Sequence, residues 1–119
     1  GRKRESGAVP ASRLLARREP PTAIFCFNDE MAMGVYMTAH REGIRVPADL
    51  SVVGFDDIRY AACMEPPLTT IAQPQEEKGR LAAQLLLEQV ERGAAVRDRS
   101  RSEILPTELI VRGSTAPPR

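Results

Sequence analysis

The stretch "SVVGFDD", Ser51 to Asp57, decides the fold class. A run of apolar, β-forming residues beginning at Leu50 ends abruptly in Gly54 and Phe55, and two adjacent carboxylates, Asp56 and Asp57, follow. An upstream run closes in the same way. "TAIFCF" (Thr22 to Phe27) is continuous and β-prone, as a strand covered on both faces is, and Asn28 and Asp29 stand at its end. Between the two runs, Asn28 or Asp29 caps a helix expected over about residues 30–42, which Gly43 ends. Strand, helix and strand in this order argue an α/β fold, a parallel sheet flanked by helices. Ligands of such sheets collect at the C-terminal ends of the strands. Two neighbouring parallel strands bring Asn28 and Asp56 to one rim. An amide that donates and accepts, beside a carboxylate that only accepts, suits a ligand rich in hydroxyl or N–H groups.

Outward from this unit, "ASRLLARR" (Ala11 to Arg18) reads as a short helix closed by Pro20 and Pro21. After the acids, the irregular "IRYAACMEPP" leads to a short strand, Leu68 to Ala72. Pro74, Glu76 and Glu77 open the longest helix, which runs to Arg92 and stops at Gly93. "AAVRDRSRS" reads as a polar loop, "SEILP" and "TELIVR" as two short terminal strands, and "TAPPR" as a frayed tail.

The totals bound the function. A chain of 119 residues suits one domain or a piece of something larger. A formal net charge of +1 with both signs mixed marks no DNA-binding face. The basic clusters at Arg2, Lys3 and Arg4 and around Arg97, Arg99 and Arg101 read as solvated ends and loops. Cys26 and Cys63 have no CxxC spacing and read as free buried thiols in a reducing compartment; one histidine, His40, cannot complete a metal site with them. No apolar stretch reaches membrane-spanning length, and the start, "GRKRESGAVP", lacks a signal peptide and reads as a truncation.

Catalysis finds little support. Asp56 and Asp57 are adjacent, so their side chains diverge; His40 sits inside a helix; no GxSxG elbow or phosphate-cradling glycine loop is present. No enzyme activity and no cofactor are expected. Local alternatives stand beside the ligand reading. Asp29 serves better as an N-cap than as a ligand contact, and Asn28 also suits a turn. Asp56 also suits an ion pair with Arg45 or Arg59, and Asp57 a cap for whatever begins at Ile58.

Two helices carry more apolar surface than one sheet face requires. Ala32, Val35, Tyr36 and Ala39 fit a sheet, while Met33, Met37 and His40 form a second stripe suited to another subunit or to a wide core face. In the long helix, Leu81, Ala82, Ala83, Leu85, Leu86, Leu87 and Val90 cover more than half the circumference. The expected reading is a helix whose partner domain lies outside these residues.

The ordered series "PTAIFCFNDEMAMGVYMTAHREGIRVPADLSVVGFDD", "PPLTTIAQPQEEKGRLAAQLLLEQV" and "LPTELIVRGST" resembles the C-terminal part of the regulatory domain of lactose-repressor/galactose-repressor (LacI/GalR) transcription regulators, over residues 6–115. The resemblance implies one lobe of a two-lobed, periplasmic-binding-protein-like fold in a cytoplasmic, dimeric, DNA-binding repressor. Residues 1–72 and 102–115 then form the C-terminal lobe, residues 73–93 the crossover and helix of the other lobe, and 116–119 a tail. A small polar effector, a sugar, is implied, held by Asn28, Asp56 and Gln73, with DNA bound through a helix-turn-helix outside this chain and no membrane partner. Dimer contacts are implied at Met33, Met37, Ala62, Cys63 and Met64. The family often stacks an aromatic on the ligand just before the "SG" matched by Ser6 and Gly7; "GRKRE" offers none.

A periplasmic sugar-binding protein of a transporter is the alternative, sharing the "ND" and "GFD" rims, but "IRVPADLSVVGFDD", "PPLTT" and "LPTELIVRGS" resemble the regulator branch. Light scattering of the chain alone is expected to show self-association through the leucine-rich helix at high concentration. A monomeric mass there contradicts that expectation.

Overall fold

Two strands and the helix between them set the frame, and each boundary has a local cause. In the computed structural model, which describes residues 2–93 and 102–119, β1 (Ala23–Phe25) leads into α2 (Asp29–Glu42) and then β2 (Ser51–Val53). Asn28 is the N-cap of α2: its backbone is extended (φ −155°, ψ 172°) and its side chain accepts from the Met31 N–H at 2.8 Å. Gly43 ends the helix in the left-handed region at φ 70°, where side chains other than glycine are strained. Around this frame lie α1 (Arg2–Leu15), a 3₁₀ turn (Ala61–Cys63), β3 (Thr70–Ala72), α3 (Gln75–Arg92) and β4 (Glu108–Ile110).

The sheet is mostly parallel, as the strand–helix–strand order requires. β1 pairs with β2 in parallel, Ala23 opposite Ser51 and Phe25 opposite Val53. Parallel bridges from Val53 to Thr69 and from Asp56 to Ala72 align β3 with β2, carried by Gly54 N–H to Thr69 O and Asp56 N–H to Ile71 O. β4 alone runs opposite, pairing with β3. Leu50, Val52 and Leu68 join Cys26, Ala11, Ala61 and the Ala32 and Val35 face of α2 in the core. Two compact units result, Gly1–Ala72 with Glu108–Arg119, and Gln73–Thr107.

Several expectations need correction. The first helix begins at Arg2 and ends at Leu15, instead of spanning Ala11 to Arg18. Gly7 and Pro10 both disfavour helix, but tertiary packing overrides propensity. Ala11 is buried, the Thr38 hydroxyl donates to the Ala8 carbonyl at 3.2 Å, and a Cβ at Gly7 would collide with the Met31 carbonyl, so α1 and α2 approach closely. β1 is not covered on both faces among the described residues. Ile24 and Cys26 turn toward the core, whereas Phe25 and Phe27 are 64% and 81% exposed. "SEILP" forms no strand; the terminal strand is limited to Glu108–Ile110, after Pro106, which has no N–H to give a ladder. The polar stretch 94–101 lies outside the described residues.

The tail is tied down instead of frayed. The Val52 N–H donates to the Ser114 carbonyl at 2.9 Å, and the Ser114 hydroxyl donates to the Val52 carbonyl while accepting from the Thr69 N–H at 2.8 Å. Ser51 and Ala116 exchange two further bonds, and Arg119 reaches Asp49 at 3.3 Å. Ser114 is fully buried, so its hydroxyl replaces ladder bonds that β2 and β3 do not make to each other there. Ser114→Ala strands the buried Thr69 N–H and is expected to lower unfolding free energy by about 1–3 kcal/mol in urea titrations. An unchanged urea midpoint contradicts this role.

Candidate functional site

The ladder between β1 and β2 continues past both strands. The Cys26 N–H donates to the Val53 carbonyl at 2.8 Å and the Asp29 N–H to the Phe55 carbonyl at 2.9 Å. These two bonds set the Asn28–Asp29 pair beside Phe55 and Asp56, so the two sequence endings "FND" and "FDD" do share a rim. Asn28 spends its side-chain oxygen on the helix cap, and its Nδ2 group makes no hydrogen bond among the described residues. Asp56 and Asp57 are half-buried and both have positive φ, 112° and 54°. Such backbone costs about 1–3 kcal/mol per residue for a residue with a side chain, and persists only where the surroundings enforce it.

Asp29 is a large part of that enforcement. It is fully buried, the first residue of α2, and it is not the N-cap; that role falls to Asn28, whose extended backbone lets its oxygen reach back over the first turn. The Asp29 Oδ2 accepts from the Ile58 N–H at 2.8 Å, and its Oδ1 accepts from the Thr70 hydroxyl at 2.5 Å. Burial pushes its carboxyl up from the usual carboxylate range; the two hydrogen bonds pull it down, and the Asp56 and Asp57 charges add to the upward push. The folded chain therefore holds this proton more tightly than the unfolded chain. Ionising Asp29 costs stability at neutral pH, and the cost fades as pH falls through the raised folded value toward 3.8. The N-terminus of α2 favours the ionised form and offsets part of the cost.

The remaining side chains close the rim from the opposite side. Arg112, just beyond β4, donates to Asp57 Oδ1 at 2.9 Å and to the Leu68 carbonyl at 3.0 Å, and its N–H donates to the Thr69 hydroxyl at 2.9 Å. Asp57 is thus an ion-pair partner instead of a cap for Ile58. Arg45 is committed to Asp49 at 3.0 Å, which holds the Asp49 carboxyl down at about 2 through its hydrogen bonds, so it does not serve Asp56. Gly54 is required for space: a Cβ there would collide with Asp29 Oδ1 and crowd the Leu68 side chain. Thr70 and Arg112 carried no local signal in the sequence, because their partners lie 41 and 55 residues away.

The other nominated residues fall elsewhere. Gln73 belongs to the second unit, where its Oε1 accepts from Lys78 at 2.8 Å. Met37, Ala62 and Cys63 are exposed, while Met33 and Met64 are half-buried, Met64 against the core. The Tyr36 hydroxyl donates to the Pro66 carbonyl at 2.8 Å, tying α2 to the segment that follows Met64. Burial, then the charge of Asp29, pushes the Cys26 thiol up to about 11, so it stays protonated and unreactive at neutral pH. Among the described residues, no group of three His, Cys, Asp or Glu is placed to hold a metal ion.

The model of the periplasmic binding protein-like domain family matches residues 1–115. The chain is 49% identical over 111 residues to the HTH-type transcriptional repressor CytR of Escherichia coli (strain K12), covering 93% of this chain and 32% of that protein. A LacI family transcriptional regulator from Enterococcus faecium, solved with bound ribose, is 34% identical with a TM-score of 0.84 over 98% of this chain and 41% of that one. The lac repressor dimer bound to operator and the anti-inducer ONPF is 35% identical with a TM-score of 0.81, over 92% of this chain and 37% of that one. These named relatives are repressors and regulators, not transport proteins. Spanning a minority of each relative's length, the chain belongs to the periplasmic binding protein-like domain family and is part of an effector-binding domain of the LacI type.

Proposed function

We propose that the protein carrying this chain is a DNA-binding transcriptional regulator whose operator affinity is set by a small polyhydroxylated ligand, and that Asn28 and Asp56 are two of the groups that hold it. The observation behind this reading is the shared rim at the C-terminal ends of β1 and β2. There an amide whose N–H donors make no hydrogen bond among the described residues stands beside a carboxylate on a backbone of fixed, strained geometry. A sugar hydroxyl both donates and accepts, so it can give a hydrogen to Asp56 and take one from Asn28 at once. Gln73, on the crossover, is a third proposed contact. Ribose in the Enterococcus faecium relative supports a pentose as the first candidate.

The work such a site performs is binding, not bond-making. A ligand shifts a two-state regulator only by its difference in affinity for the two states. Directional bonds to a rigid rim supply such a difference, because they are made in the state that brings the remaining contacts into register. The apolar face of α3, with Leu86, Leu87 and Val90 all exposed, supports burial against the first lobe of the whole protein. The exposed Met37, Ala62 and Cys63, with Met33 and Met64 beside them, support a dimer face. DNA is bound by a segment outside this chain, in the cytoplasm.

Calorimetric titration of the full-length protein with D-ribose tests the site. Asp56→Ala and Asn28→Ala are each expected to weaken binding about 10- to 100-fold, as lost hydrogen bonds involving a charged or buried partner do. Operator affinity without ligand should stay at the wild-type value. Wild-type ribose affinity in both variants contradicts the assignment.

A further inference from the structure

Four consecutive residues of the rim have their backbone groups fixed from outside. The Phe55 carbonyl accepts from the Asp29 N–H at 2.9 Å, the Asp56 N–H donates to the Ile71 carbonyl at 2.8 Å, the Asp57 N–H donates to the Thr70 hydroxyl at 3.4 Å, and the Ile58 N–H donates to the Asp29 carboxylate at 2.8 Å. Asp29 therefore grips both ends of the segment, at Phe55 through its backbone and at Ile58 through its side chain. It also reaches the middle, since its second oxygen holds the Thr70 hydroxyl that meets Asp57. The two residues inside the grip are the two with positive φ.

Asp29 is also the residue next to Asn28. Its burial between Gly54, Thr70 and Ile58 leaves it no path to a ligand. Its position in the first turn of α2 couples the helix that Asn28 caps to the loop that carries Asp56. One carboxylate thus fixes the spacing of the two rim groups without touching what they bind. A carboxylate suits this because it offers two acceptors and no donor, matching an N–H on one side and a hydroxyl on the other. An amide in its place keeps one acceptor oxygen and puts an NH2 donor where the other stood, so either Ile58 or Thr70 loses the oxygen it donates to.

We propose that Asp29 is a positioning residue for effector binding, acting through Asp56 by clasping Phe55–Ile58 with its buried carboxylate. The proposal rests on the reading of Asn28 and Asp56 as ligand contacts. A double-mutant cycle on the full-length protein with D-ribose tests it. Asp29→Asn is expected to weaken ribose binding about tenfold in the wild-type background and about twofold or less in an Asp56→Asn background, because its effect travels through Asp56. Equal losses in both backgrounds make Asp29 merely structural and overturn the inference, leaving the role of Asp56 intact. No loss from Asp56→Asn alone removes the underlying reading and the inference with it. Amide hydrogen exchange needs no ligand and decides the matter if wild-type protein does not bind ribose. Asp29→Asn and Thr70→Val are each expected to speed exchange at Asp57 and Ile58 while leaving Val52 unchanged. Unchanged exchange at Ile58 overturns the clasp, whichever variant folds better.

Discussion

A single buried carboxylate, that of Asp29, holds together the rim at the C-terminal ends of β1 and β2. Burying an acid without partners is costly, and the chain meets that cost with an N–H from Ile58, a hydroxyl from Thr70 and the positive end of α2. Those partners come from three separate stretches of the chain, so satisfying one side chain draws together the start of α2, the loop after β2 and the first residue of β3. Gly54 completes the arrangement by leaving out a side chain where Asp29 must sit. The rim geometry is a consequence of this requirement.

The same logic recurs at the opposite end of the strands. There the chain's final segment supplies Ser114, whose hydroxyl and carbonyl satisfy Val52 and Thr69 between β2 and β3. The chain leaves the first unit after Ala72 and re-enters it at Glu108, and the returning residues reach both ends: Arg112 clamps Asp57, Ser114 the strand core. The residues that follow the crossover are thus in direct contact with the loop that presents Asp56.

Features legible in the sequence were those with local causes. Apolar runs, an Asn–Asp before a helix and a glycine after it gave β1, α2 and β2 to within a few residues, and the pairing of "FND" with "FDD" gave the rim. The start of α1 was hidden because Gly7 and Pro10 are local breakers, and only contact with Met31 and Thr38 outweighs them. An acid before a helix looks like a cap; Asp29 is something else because Ile58 and Thr70, 29 and 41 residues away, claim it. The tail looked frayed for the same reason, its partners Ser51 and Val52 lying more than sixty residues upstream. Phe25 and Phe27 remain exposed because none of the described residues covers them, which an apolar run does not reveal. The family resemblance carried what no local rule could, namely the expectation of an effector at this rim and of a second lobe for α3.

The most direct test is a crystal structure of the full-length protein grown with D-ribose. The expected result places ligand hydroxyls within hydrogen-bond reach of Asn28 Nδ2 and the Asp56 carboxylate, with Asp29 still buried against Ile58 and Thr70 and making no contact to the ligand. Ribose bound away from this rim, or Asp29 turned out to meet it, would contradict the account.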